Sequence, residues 1–140
     1  MAELTTKGLD ELLADLGSVA EIPDETLLEM LTAEAEVVAE AQAQEARAMG
    51  VLDTGRTADS ITFDKKLKAT ADGKAVYVYP KGTRSDGNKR RVAEVAFINE
   101  FGKKGQPGRP FIKAATEKSA EAAEKAAHAV YDNFLKSKNL

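Results

Sequence analysis

The chain contains no cysteine and no tryptophan, a single histidine and four prolines, and its rings are limited to three tyrosines and five phenylalanines. Without Cys there is neither a disulfide framework nor a thiolate metal site, which fits a reducing compartment. Without Trp and with so few rings, the core has to be aliphatic and rich in alanine. No stretch approaches the roughly 18 unbroken apolar residues of a membrane span. The opening residues MAELTTKGLDELL are acidic where a secretory signal would be basic. The expectation is a soluble protein that is not secreted by that route, assembled in the cytoplasm and without a membrane partner.

Catalytic groups are equally scarce. His128, the one histidine, stands between Ala127 and Ala129 with no candidate partner nearby in sequence, so it reads as an isolated surface residue and not as a general base. There is no phosphate-cradling glycine loop followed by Lys-Ser/Thr and no Asp-rich calcium loop. Glu94 and Glu100 lie six residues apart and, on a helix, project to different sides, which is not the arrangement of a paired carboxylate site. The chain is expected not to be an enzyme and to need no metal or cofactor.

What is abundant is charge, unevenly placed. Residues 1–48 hold twelve acids and two bases, residues 49–113 seven acids and fourteen bases, and the remainder four of each, leaving a net charge of −3. Two opposed regions of this kind either stand as solvated faces or pair with one another, within one chain or between copies.

Helical spacing dominates both ends. Leu9, Leu12, Leu13 and Leu16 recur at three and four, predicting a short amphipathic helix stopped by Gly17. Asp24 is placed to cap a longer second helix with the stripe Leu27, Leu28, Leu31, Ala35, Val38, Ala41, Ala46 and Met49, ending at Gly50. Between them these helices make residues 1–50 a helical part. Ile61, Phe63 and Leu67 then alternate as a strand would. Asp72-Gly73 signals a hairpin, and Ala75 to Tyr79 reads as its second strand, with Val76 and Val78 on one face and Tyr77 and Tyr79 on the other. Pro80 ends it.

The next segment, KGTRSDGNKRR from Lys81 to Arg91, has no apolar residue and five bases against one acid. It reads as a solvated or subunit-contacting loop formed by Lys81, Arg84, Lys89, Arg90 and Arg91. A nucleic-acid interface is the competing reading, weakened because the stackable aromatics lie in the strand and not in the loop. Val92, Val95, Ala96 and Phe101 recur at helical spacing, although the β-branched residues leave a strand open. From Pro110 to about Lys136 the stripe Ile112, Ala115, Ala122, Ala126, Val130 and Phe134 predicts a long C-terminal helix.

The chain is organised around Val92 to Lys118, VAEVAFINEFGKKGQPGRPFIKAATEK. Its breakers, Gly102, Gly105, Gly108 and Pro110, separate two ordered pieces and suggest a fixed turn that presents Glu100, Phe101, Arg109 and Phe111. Arg109 is either an ordinary surface residue at a helix start, where its charge is mildly unfavourable, or the bidentate partner of Glu100 across the loop. Phe111 is an anchor, seated either in its own core or in a neighbour's pocket.

Phe101-Gly102 after an acid, a short Gly/Pro loop, then Arg109-Pro110-Phe111-Ile112 and an Ala-rich helix resemble the tail-completion (tail-terminator) proteins of long-tailed bacteriophages. Leu52-Asp53-Thr54-Gly55-Arg56, with Ser60-Ile61 close behind, is similar to the segment that links the long N-terminal helix of that family to its first strand. Lys103 stands where the family often has Thr, and Thr57-Ala58-Asp59 replaces a stretch that usually carries an apolar and a basic residue. The resemblance implies a virion protein of the tail and neck. It would form a ring of about six copies that closes the tail tube and meets the tube protein on one side and a head-completion protein on the other. DNA would pass only through the lumen. A head-to-tail connector beneath the portal is the alternative within the same machinery. The fold expected for all 140 residues is one α+β domain. Two N-terminal helices lead into a small antiparallel sheet built on a hairpin, then a short helix and a long C-terminal helix packed on the sheet.

Overall fold

The computed structural model describes residues 6–20, 22–51, 56–83 and 91–139. Its order is α1 (Thr6–Ala20), α2 (Asp24–Ala48), α3 (Arg56–Asp59), β1 (Ile61–Phe63), β2 (Lys68–Thr70), β3 (Gly73–Ala75), β4 (Val78–Pro80), α4 (Val92–Phe101) and α5 (Phe111–Ser137). The fold is α+β, as the periodicities predict. Of the linker Leu52 to Arg56, residues 52–55 lie outside the described residues; Arg56 itself opens the one-turn α3, and β1 comes directly after that turn.

α2 and α5 form the spine. They run antiparallel: Lys118 near the start of α5 pairs with Glu45 near the end of α2 at 2.6 Å. At the other end, Glu124, Ala127, His128 and Tyr131 share a groove with Ile22, Met30 and Glu34. The contact side of α5 is Phe111, Ala115, Ser119, Ala123, Ala127 and Phe134. This corrects the expected stripe, for Ala122 is exposed and Ala126 and Val130 are only half-buried. Eight alanines spread around α5 weaken the contrast by which a stripe is located. Ser119 and, on α2, Gln42 are buried with Ser119 Oγ and Gln42 Oε1 unpaired, a feature that an apolar periodicity cannot signal.

α2 ends as its sequence dictates. Gly50 adopts φ 71°, the Val51 N–H donates to Ala46 O at 2.8 Å, and the Gly50 N–H donates to Arg47 O at 3.2 Å. This double bond pattern closes the last turn around a left-handed glycine. Ala46 and Val51, brought together by it, join Ala58, Ala96 and Phe111 in the buried core. At its start, Asp24 is the first helical residue and makes no cap; Pro23 holds that position, and Asp24 instead meets Lys74 of the hairpin.

The hairpin is one excursion with two ladders. β1 pairs with β4, Ile61 opposite Pro80 and Phe63 opposite Val78, while β2 pairs with β3, Lys68 opposite Ala75. The strand expected from Ala75 to Tyr79 is therefore broken at Val76 and Tyr77. Tyr79 is half-buried, its hydroxyl donating to Asp64 Oδ2 at 2.8 Å, whereas Tyr77 is exposed beneath Lys68. The β1–β4 ladder lies against α2, and α5 lies principally against α2. α1 runs through Gly17 to Ala20, because glycine inside a helix costs only about 1 kcal/mol, and its four leucines are 46–57 % exposed. No helix of the described residues is long and apolar enough to cross a membrane.

Candidate functional site

The Gly/Pro loop closes by backbone crossing. Lys103 and Gln106 exchange both N–H···O bonds at 2.9 Å around Lys104 and Gly105, the latter at φ 82°. A Cβ on Gly102 would lie 2.7 Å from Gln106 O and from Gly108 N, and one on Gly108 would lie 2.8 Å from Glu100 O. Two stretches of backbone pass here with no room for a side chain on either.

Glu100 and Arg109 both secure this loop, but not by pairing with each other. Glu100, on the inner side of α4, accepts the N–H of Ile112 at 2.8 Å and of Lys113 at 3.0 Å. Those are the second and third residues of α5, which Pro110 cannot cap by side chain. A carboxylate at this end also meets the positive pole of the helix. Arg109 donates through Nη1 to Gly50 O at 3.0 Å, and its own N–H donates to Asn99 O. Of the two readings of Arg109, the ion pair with Glu100 is not found; in its place stand two separate tethers, one to α5 and one to the end of α2. Helix termini offer unsatisfied N–H and C=O groups that outcompete a solvated ion pair for these side chains.

Phe111 is fully buried in its own core, which decides between its two readings: it anchors this chain and faces no partner. Glu100 is likewise internal. Phe101 is 70 % exposed and Phe97 is 63 % exposed, their ring centroids 4.8 Å apart and tilted by 50°. Phe97 was not singled out by the sequence, yet it lies four residues before Phe101, the spacing that places two side chains together on a helix. α4 buries Val92, Ala96 and Glu100 and turns its two rings outward. Apolar residues occupy nearly all of its faces, so the helical spacing of Val92, Val95, Ala96 and Phe101 does not by itself single out the buried side.

The basic loop is represented by its ends. Arg84, Lys89 and Arg90 lie outside the described residues. Thr83 bridges Arg91 and Gly82 O accepts the Val92 N–H at 3.0 Å, so the segment departs from and returns to one point beside α4. Arg91, exposed, lies 3.6 Å from Glu94, and Lys81 lies 3.9 Å from Asp64. A shallow groove bounded by Arg91, Ala93, Glu94, Phe97 and Ile98 flanks the rings. Among the described residues no three His, Cys, Asp or Glu side chains gather as metal ligands. The surface supplies apolar area edged with positive charge, which is the chemistry of association. Comparison with family models, with curated proteins and with solved structures returns no match.

Proposed function

We propose that this chain is a tail-completion subunit of a long-tailed bacteriophage, one of about six copies in a ring that closes the tail tube and joins it to the head-side neck. The observation that carries the reading is the outward pair Phe97 and Phe101 beside a loop tethered at both ends. Single exposed apolar side chains are ordinary, but two adjoining rings one helical turn apart, tilted by 50°, form a contact surface. The motif residues that resemble the family have a local role consistent with it. Gly102 and Gly108 permit the backbone crossing, Phe111 fills the core, and Arg109 holds α2. Together they fix α4 against α5 and leave Phe101 outside.

Rigidity of that kind suits a ring. Closure requires the same angle at every contact, and an angle repeats only if the elements carrying the interface cannot rock. The role is geometric and calls for no catalytic group. Its partners are neighbouring copies, a tail-tube protein and a neck protein in the virion.

The test is a native mass measurement of the protein alone and mixed with a tail-tube protein. A ring-sized species, formed alone or on the tube, is expected. A monomer under both conditions overturns the proposal.

A further inference from the structure

The end of the spine where α2 begins holds a groove of about 350 Å³ between α2 and α5. Ile22, Met30, Ala127 and Tyr131 make its apolar floor, and Glu34 and Glu124 stand on its walls. At the opposite end of the spine the rings of Phe97 and Phe101 stand exposed on α4. We infer that these surfaces are the two halves of one contact between copies, the ring pair of one chain seating in the α2–α5 groove of the next. The inference deepens the ring reading and rests on it, naming the contact by which one subunit holds its neighbour.

Both halves are fixed to the same two helices, far apart. Ala96 shares the core with Ala46 and Phe111, and Glu100 holds the N–H of Ile112; each ring directly follows one of these pinned residues. From Ala46 back to Met30 on α2, and from Ile112 on to His128 on α5, is about 24 Å of helix. A chain therefore cannot seat its own rings in its own groove. Because the two surfaces differ, their union is head to tail, the kind of contact that closes a ring when its rotation fits.

Charge and side-chain chemistry match across it. The groove has two carboxylates and, among its described lining, no lysine or arginine; exposed Asp132 adds a third acid one turn beyond His128, and His128 itself lies 3.8 Å from Glu124. Two other grooves on the spine each carry a base, Lys65 in one and Lys118 in the other. Lys103 and Lys104 follow α4 directly, both exposed. Arg91 stands at the other end of α4 but is 3.6 Å from Glu94, so the positive edge of the ring pair rests chiefly on the two lysines. Rings on a floor that includes Met30 and Tyr131, with lysines toward glutamates at the rim, give an apolar centre and a complementary edge. Two copies of α4 face to face would instead set Lys103 and Lys104 against themselves.

The absence of cysteine makes a linking test direct. Lys104→Cys and Glu124→Cys are introduced into separate chains, mixed under conditions in which the wild-type chain assembles, and treated with a short bifunctional thiol reagent. A covalent dimer is expected from the mixture and none from either variant alone. Charge reversal gives a second readout. Glu34→Lys with Glu124→Lys should abolish assembly, and adding Lys103→Glu with Lys104→Glu to the same chain should restore it, a rescue that a folding defect would not show. Phe97→Ala should weaken association by roughly tenfold or more. Linking of Lys104→Cys chains to one another would mean that rings meet rings, and overturns the inference. So does a link between Leu16→Cys and Glu124→Cys within one monomeric chain, which would mean that α1 fills the groove from its own chain. An oligomer that gives no link and ignores the charge reversals also overturns it, a result that leaves the ring itself standing. A wild-type chain that stays monomeric with and without tube protein overturns both.

Discussion

The carboxylate of Glu100 accepts the backbone N–H of Ile112 at 2.8 Å, so the last turn of α4 supplies the cap that α5 lacks in its own sequence. Since Arg109 is tethered elsewhere, to Gly50 O, the two residues are mechanically separate. Glu100→Ala should lower unfolding free energy by about 1–3 kcal/mol, the range for orphaning buried donors. Arg109→Ala should cost less, about 1 kcal/mol, the loss of one exposed bond to a carbonyl. The double variant should show the two losses nearly summed. Chemical denaturation of all four chains checks this, and strong non-additivity would mean that the side chains act as one unit.

Phe111 is the largest fully buried side chain among the described residues. Phe111→Ala should cost roughly 3–5 kcal/mol of unfolding free energy. Phe101→Ala, which empties no cavity, should leave stability nearly unchanged. Thermal unfolding of the pair separates the core ring from the surface ring, and equal losses for both would contradict this placement.

Gly108 is the tightest test of the backbone crossing. Gly108→Ala places a methyl 2.8 Å from Glu100 O, against backbone that is itself pinned. The loop has to open, and the loss should exceed the ~1 kcal/mol typical of glycine replacement at compatible sites. At Gly17, where a Cβ meets nothing within 4 Å and the backbone is helical, the same change should stabilise α1. Circular dichroism melting distinguishes the two, and a harmless Gly108→Ala would show that the crossing is looser than described.

Tyr79 is held protonated by its hydrogen bond to Asp64, and both that bond and the nearby carboxylate charge raise its pKa above the ordinary value of 10.0. A proton bound more tightly in the folded chain than in the unfolded one stabilises the fold in full below pH 10. That contribution fades as pH climbs from 10 through the folded value. Tyr79→Phe should therefore flatten the alkaline limb of the stability curve above pH 10 while changing little at neutral pH beyond loss of the bond. An unchanged alkaline limb would remove Asp64 as the cause.

The elements that could be located from the sequence are those where polar and apolar residues contrast. α2 ends where Gly50 says it must, the Asp72-Gly73 turn joins β2 to β3, and α4 spans Val92–Phe101. Contrast fails on α4, apolar on almost every face, and the sequence therefore does not separate Glu100 from Phe101, both expected at the presented turn; Glu100 is found inside and Phe101 outside. What decides the matter is the unmet N–H groups of α5, a long-range demand that no local period carries. The break at Val76 and Tyr77 had the same origin: alternation was intact, but β1 and β2 do not form a continuous partner strand for it.

The antiparallel spine sets a schedule for synthesis. Glu45 and the Lys118 that pairs with it are 73 residues apart, so at about 5–20 residues per second the α2 stripe waits on the order of 4–15 seconds for its partner to leave the ribosome. During that interval α3, the hairpin and α4 emerge, but the face of α2 that α5 covers stays open, the condition under which nascent chains stick to one another. The twelve acids against two bases of residues 1–48 keep such half-made chains apart by mutual repulsion. That repulsion weakens as the fourteen bases of residues 49–113 emerge, and α5 then covers the open face.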